Sequence, residues 1–344
     1  MPASRATLPS LAAAALLLPL AYRADAQLVA RAIVPHPTWD CGMPHGIPPP
    51  EAGRPVFDIT IPLERAVEIG QTQYGKRRVA VGREGSVAGP RLTAAVMPGA
   101  LDFELTLANG TIEIEQTLVL HTADGSYIYV RNTGTGPDAG DVRVVLDFEA
   151  PNASEHSWLN SGSYVARREL NASAKTLRLR VYDVSSVALD TASAITIAKP
   201  ARVPAQPWTY RAKGAGERQG EILIHENVTL GAAQSVGASK RGNRNIIPIT
   251  GGELSGRITG KVLMGGADYQ NLSPPATIDA HYLWQADDGE IIIVRNGGSF
   301  GNLVPTFETR VDGPFAYLNT GRYLSSNPSA GQGGVALTFY ESTD

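Results

Sequence analysis

Residues Phe57–Gly89, FDITIPLERAVEIGQTQYGKRRVAVGREGSVAG, lie without a gap over Ile224–Gly256, IHENVTLGAAQSVGASKRGNRNIIPITGGELSG, at a constant offset of 167. That register pairs Gly70 with Gly237, Gly75 with Gly242, Arg77 with Arg244, Gly85 with Gly252 and Gly89 with Gly256. Farther along, the offset drifts as it would after loop insertions. Leu101-Asp102-Phe103 then falls on Ala267-Asp268-Tyr269, and Asp124-Gly125 on Asp288-Gly289. Val130-Arg131-Asn132 falls on Val294-Arg295-Asn296, and Trp158-Leu159-Asn160 on Tyr317-Leu318-Asn319. Order and spacing both survive. A period this long means two duplicated domains, because short-repeat solenoids run at about 20–50 residues per repeat.

Both repeats read as strand. Thr111–Glu115, Thr176–Tyr182 and Gly334–Tyr340 alternate or are rich in β-formers, as half-buried strands are. Asp124-Gly125 and Asp288-Gly289 stand between such runs, a strong hairpin signal. Val187–Ala198 fits a helical turn or a strand equally. The expected fold is all-β: two tandem small β-barrels related by internal duplication, since closure removes exposed sheet edges. The expected divisions are a signal peptide over 1–26, a Pro-rich arm over 27–55 and repeat 1 over 56–199. A Pro-then-Gly linker follows over 200–220, and repeat 2 over 221–344.

The chain has 344 residues, enough for two domains each with its own core, and a net charge of −3 from 30 basic and 33 acidic residues. No concentrated basic surface suggests a nucleic-acid partner. Arg5, the apolar run Leu8–Leu20 and Ala24-Asp25-Ala26 read as a secretory leader, and no other stretch resembles a membrane span. Sequons at Asn109, Asn152, Asn171, Asn227 and Asn271 fit a secreted glycoprotein. The single cysteine, Cys41, allows no internal disulfide and lacks an obvious activating neighbour.

The second repeat carries Gly242-Asn243-Arg244 with Pro248-Ile249-Thr250-Gly251-Gly252, then Gly265-Gly266-Ala267-Asp268-Tyr269, Asp279-Ala280-His281-Tyr282 and Asp288-Gly289. This resembles the small β-barrel family known as domain of unknown function 3237, or UPF 0311. That family shows G-x-R…P-x-x-G-G, G-G-x-D-W, D-A-R-Y and D-G. The aromatic after the aspartate is Tyr269 here and Phe103 in repeat 1, and His281 stands where the family often has Arg. Repeat 1 has Pro98-Gly99-Ala100 in place of the double glycine and Thr117 at the His281 position, so the second repeat is the more family-like. The tandem plan is also similar to secreted fungal hetero-Diels–Alderases, which generate a quinone methide from a tropolone alcohol and add a terpene alkene. That similarity implies a cofactor-free cyclase acting on apolar, conjugated small molecules. A non-catalytic small-ligand carrier and a carbohydrate-active lyase or hydrolase are the alternatives.

In the strand around Thr277–Gln285, Asp279 and His281 share one face, while Tyr282 and Trp284 share the other. If the polar face points into the barrel, Asp279 orients His281 for proton transfer; otherwise that face is wet and the aromatic face is core. Asp268 and Asp102 follow glycine-rich bends, either as buried acids of raised pKa or as turn caps. Arg295 and Arg131 polarise a substrate oxygen or form structural ion pairs. The expected catalytic set is His281, Asp279, Arg295 and Asp268. Tyr269, Tyr282, Trp284, Asn319, Asp102 and Arg131 are the expected substrate contacts. No metal-ligand spacing, phosphate-cradling loop or nucleophile elbow is legible, so neither metal nor cofactor is expected. The expected assembly is a monomer with pseudo-twofold barrels.

Overall fold

The computed structural model describes residues 30–200, 203–207 and 210–343; the expected leader lies outside them. Among the described residues there is no α-helix, only strands and short 3-10 turns, and no helix is long and apolar enough to cross a membrane. The first barrel runs from the strand Arg54–Gln71 to the strand Thr176–Asp183. These two pair antiparallel with Leu179 opposite Ile59, which closes the sheet. The second barrel runs from Arg218–Leu230 to Gly334–Thr343, joined with Leu337 opposite Glu226. Both Asp-Gly hairpins form as expected, with Gly125 and Gly289 at φ +84° and +93°, where a side chain would be strained.

Each barrel fills its lumen with inward-pointing residues of alternating strands. Ile59, Leu118, Leu120, Val130 and Phe148 do so in barrel 1, and Tyr282, Trp284, Val294, Phe307 and Phe339 in barrel 2. The outward faces of corresponding strands then pack on one another. Ile69, Val79, Val81, Leu101 and Phe103 of barrel 1 meet Leu263, Leu283, Ile291 and Ile293 of barrel 2. Reciprocally, Val236, Ile246, Ala267 and Tyr269 of barrel 2 meet Val119 and Tyr129 of barrel 1. Six positions recur in both sets (69/236, 79/246, 101/267, 103/269, 119/283 and 129/293), so the contact is self-complementary, as in a twofold dimer.

Gly266 lies on this seam at φ +74°, its N–H bonded to the Gly99 carbonyl at 2.8 Å. A Cβ at Gly266 would collide with the His281 carbonyl. The double glycine therefore serves strand approach and barrel pairing.

Two segments take a definite form that the sequence left open. The Pro-rich arm is packed: Ile33 and Ile47 are fully buried and Trp39 nearly so, because these apolar residues find Val145, Val165 and Val184 on barrel 1's outer face. The stretch Leu189–Thr196 is a strand, paired in parallel with Ala30–Val34 of the arm. In the linker, Gln206 is buried, accepting from Arg77 (2.9 Å) and donating to Glu113 (2.6 Å).

The two barrels close differently. In barrel 1 the strand Tyr164–Asn171 pairs along its whole length with Thr176–Asp183 and also with Arg143–Leu146. Its counterpart in barrel 2 is only Tyr323–Ser325. It pairs with the last strand and reaches the preceding one through the Ser325 N–H on the Leu303 carbonyl (3.1 Å).

Candidate functional site

The polar face of Thr277–Ala286 is neither inside the barrel nor wet. Asp279 and His281 point outward and are enclosed by barrel 1. Asp279 accepts from His281 Nε2 (2.9 Å) and from Arg131 of the other barrel (3.3 Å). Its structural equivalent, Glu115, accepts from Arg131 (3.0 Å) and from Arg295 of the other barrel (2.9 Å). The flanks repeat the exchange: Arg77 and Thr72 of barrel 1 hold Glu308 of barrel 2 (2.8 and 2.7 Å). Arg244 and Ser239 of barrel 2 hold Glu149 of barrel 1 (2.8 and 2.7 Å).

Burial pushes the Glu115 carboxyl up, but Arg295, Arg131 and His281 outweigh it and hold it at about 2. Burial likewise opposes Asp279, whose carboxyl His281 and Arg131 hold at about 2. Both carboxylates are ionised and held by cations from each barrel, although His281 Nδ1 and Arg295 Nε are buried without a hydrogen-bond partner; charge pairs of this kind specify how the barrels dock. His281 is 2 % exposed, under the Tyr269 ring (5.9 Å). Tyr269 donates to Thr117 (2.8 Å) and stacks on Tyr129. The expected catalytic residues His281, Asp279 and Arg295, with Arg131 and Tyr269, are thus brought together, but as the joint between barrels.

Inside the barrels the duplication has diverged. In barrel 1, Asp102, Gln116 and Asn132 stand side by side on three adjacent strands, facing the lumen. Gln116 donates to Asp102 (2.5 Å) and accepts from Asn132 (3.0 Å). Arg168 clamps Asp102 with two bonds (2.6 and 3.0 Å) and also pairs with Glu104 (2.8 Å), which in turn holds Arg78. In barrel 2 the same row is Asp268, Ala280 and Asn296. The Arg78–Glu104 ion pair becomes a neutral amide pair, Asn245 to Gln270 (2.9 Å). The Arg168 position falls on Asn327, past the shortened strand, where its carboxamide oxygen accepts from the Gly301 N–H (2.6 Å).

Among the described residues, no arginine or lysine pairs with Asp268. Gln270 donates to its Oδ2 (2.9 Å), and its buried Oδ1 has no partner. Burial raises this carboxyl to about 6 against the Gln270 bond, and Asp279 adds to the rise. A carboxyl without a cationic partner in only one of two copies marks a candidate functional site. The end of the lumen is also more open. Asp268, Gln270, Ile247, Leu230 and Val335 are half-buried, whereas their counterparts Asp102, Glu104, Ala80, Leu63 and Leu177 are buried.

Glu226 lies deeper in barrel 2, fully enclosed. It accepts from Tyr282 Oη (2.8 Å) and Trp284 Nε1 (2.6 Å), and burial raises it to about 7 against those two bonds. Sequence reasoning missed Glu226, although the repeat alignment sets it against Ile59, an acid where its twin is apolar. Tyr282 and Trp284, expected as substrate contacts, lie in the packed lumen core of barrel 2, both fully buried. Asp102, an expected substrate contact, is instead fully paired. Asn319 is also structural: its carboxamide bonds both the N–H and the carbonyl of Thr309 (2.9 and 3.1 Å), as Asn160 does for Ala150.

A second concavity, of about 510 Å³, lies under the arm. Trp39, Met43, Tyr164, Arg131, Asp147 and Arg241 are among its lining residues, and Arg131, Asp147 and Arg241 are all engaged in ion pairs. Cys41, also in its wall, is buried, which pushes its thiol up. Of the sequon asparagines, Asn109, Asn152 and Asn171 are exposed, while Asn227 and Asn271 are half-buried. The Asn227 and Asn271 side chains bond neighbouring backbone.

These features define a duplicated small-barrel protein with a symmetric joint and, in barrel 2, a lumen carboxyl that lacks the arginine its twin has. The chain belongs to the family described as "Protein of unknown function (DUF3237)", whose model matches residues 52–187 and 219–302. A UPF0311 protein of Bradyrhizobium diazoefficiens is 45% identical over 71 residues, 20% of this chain and 47% of that protein. One from Clostridium acetobutylicum is 33% identical over 102 residues, 28% of this chain and 65% of that protein. The chain spans about half the length of the first of these. Among solved structures, a β-barrel-like protein from Acinetobacter baumannii matches 38% of this chain and 94% of its own (22% identity, TM-score 0.33). An enzyme from Penicillium herquei matches 37% of this chain and 92% of its own (21% identity, TM-score 0.30).

Proposed function

We propose that this chain is a cofactor-free enzyme that works on a conjugated small molecule in the lumen of barrel 2. The observation that carries the proposal is Asp268: a carboxyl without a cationic partner at the half-buried end of the barrel 2 lumen, where its twin Asp102 is neutralised by Arg168. With its pKa raised by burial to about 6, Asp268 holds a proton in mildly acidic medium and can act as general acid. It protonates the hydroxyl of a tropolone-type alcohol, the C–O bond breaks, and the electron pair leaves with water. The ring hydroxyl then returns a proton to the Asp268 carboxylate, giving a quinone methide. A terpene alkene held against the apolar rim of Leu230, Ile247 and Val335 adds across it in a redox-neutral hetero-Diels–Alder step, favoured by proximity. Incubating the protein with a hydroxymethyl-tropolone alcohol and humulene, and following adduct stereochemistry, tests this. One enantiomeric series formed faster than in buffer is expected; a profile identical to buffer refutes it.

The cleft of about 510 Å³ under the arm favours a second reading, a carrier that releases its ligand unchanged. A secreted, glycosylated form is part of the proposal, supported by exposed Asn109, Asn152 and Asn171. Endoglycosidase sensitivity of the protein from its native source checks that.

A further inference from the structure

The two lumens differ by a specific set of atoms. Barrel 1 fills the space between Asp102 and Asn132 with the Gln116 carboxamide and places the Arg168 guanidinium on Asp102. Barrel 2 replaces Gln116 by Ala280 and supplies no arginine. The backbones of Asp268 and Asn296 lie two strand spacings apart, about 10 Å, and the residue between them in the row is Ala280, which reaches no farther than a methyl group. Asn296 uses its NH2 on Ser325 (3.1 Å) and its buried Oδ1 has no partner, as is true of Asn132 Oδ1 in barrel 1; the unpaired atom particular to barrel 2 is Asp268 Oδ1.

Where the duplication lost Arg78 it also lost Glu104, the pair becoming Asn245–Gln270. Asp268, by contrast, kept its carboxyl where the Arg168 position became Asn327. A buried acceptor left unpaired is destabilising, and barrel 2 has two in this row, Asp268 Oδ1 and Asn296 Oδ1, against one, Asn132 Oδ1, in barrel 1.

We propose that the lumen of barrel 2 binds a planar N–H-bearing cation, of the amidinium or guanidinium class, between Asp268 and Asn296, in the place that Arg168 and Gln116 fill in barrel 1. The two N–H edges of an amidinium match a carboxylate side by side, as the Arg168–Asp102 pair does. The third donor direction is left for Asn296 Oδ1, and the aryl or alkyl remainder lies toward the apolar rim. The inference rests on placing the site in barrel 2 and deepens it. Such a cation mimics the delocalised charge that forms as a conjugated alcohol ionises beside Asp268.

The test is calorimetric titration of the full chain with benzamidine and with its neutral isostere benzamide. At pH 8, benzamidine binds at least tenfold tighter than benzamide, and lowering the pH to 4.5 removes at least tenfold of that affinity. Asp268→Asn abolishes the preference. Ala280→Gln, which rebuilds the barrel 1 plug and is expected to fold, abolishes binding. Equal binding of the two probes, or undiminished benzamidine binding by A280Q and D268N, overturns the proposal. The proposed chemistry fails separately. If benzamidine does not bind yet D268N loses dehydration, the cation site falls and the enzyme reading stands. If benzamidine binds and no alcohol is dehydrated, the reverse holds.

Discussion

Replacing Asp268 by Asn changes the pH dependence of stability in a way the structure quantifies. Folding raises this carboxyl from ~3.9 in an unfolded chain to about 6. A carboxyl whose folded pKa is raised binds its proton more tightly in the native state, so stability falls as pH rises from ~4 through about 6 and levels off above. Two pKa units correspond to ~2.7 kcal/mol, an upper bound because Asp268 is half-buried and water screens part of the effect. Glu226, raised to about 7, adds a slope of the same sign, but it is present in both proteins and cancels in their difference. Urea unfolding of wild type and D268N across pH 3.5 to 8.5 reads this directly. The difference between them should shift in favour of D268N by ~1–3 kcal/mol between the acid and alkaline ends. Parallel curves would refute the claim that Asp268 is a carboxyl strained by burial.

Further changes probe the joint and the lumen. Glu115→Gln leaves Arg131 and Arg295 across the seam without their shared carboxylate and should cost ~3–5 kcal/mol in denaturant unfolding. Because Glu115 and Asp279 are held at about 2, the joint keeps their contribution above the unfolded carboxylate range. It loses that contribution as pH falls from ~4.5 through about 2, which acid unfolding followed by tryptophan fluorescence checks. Gly266→Ala meets the His281 carbonyl and should lower the melting temperature markedly, whereas Gly289→Ala, with open space around it, should pay only the left-handed strain of ~1–2 kcal/mol. Tyr282→Phe removes one of two donors to buried Glu226 and should cost ~1–3 kcal/mol at pH 8, read by the same unfolding assay.

The fold was legible because the repeat names its own strands. Matched glycines, two Asp-Gly turns and period-two runs define two copies of one barrel, and pseudo-twofold packing follows once both copies present the same outer face. The direction of that face was not legible. Alternation separates Asp279 and His281 from Tyr282 and Trp284, but it cannot say which pair is inside when both faces are buried, one in a lumen and one in a joint. Residue types misled for the same reason: an Arg–carboxylate–His cluster has the composition of an active site whether it faces substrate or a partner domain. Asn319 looked available for a ligand, yet a carboxamide also satisfies a backbone N–H and C=O at once. The informative signal was in the differences between repeats, Ile59 to Glu226 and Gln116 to Ala280, rather than in their likeness.

The most direct measurement compares adduct formation from the tropolone alcohol and humulene by Asp268→Asn and by His281→Ala, each confirmed folded by circular dichroism. The account predicts that D268N loses ~10²–10⁴-fold in rate while H281A, altered only in the joint, stays within a few-fold of wild type. Loss of activity in folded H281A with full activity in D268N would place the chemistry at the seam and contradict it.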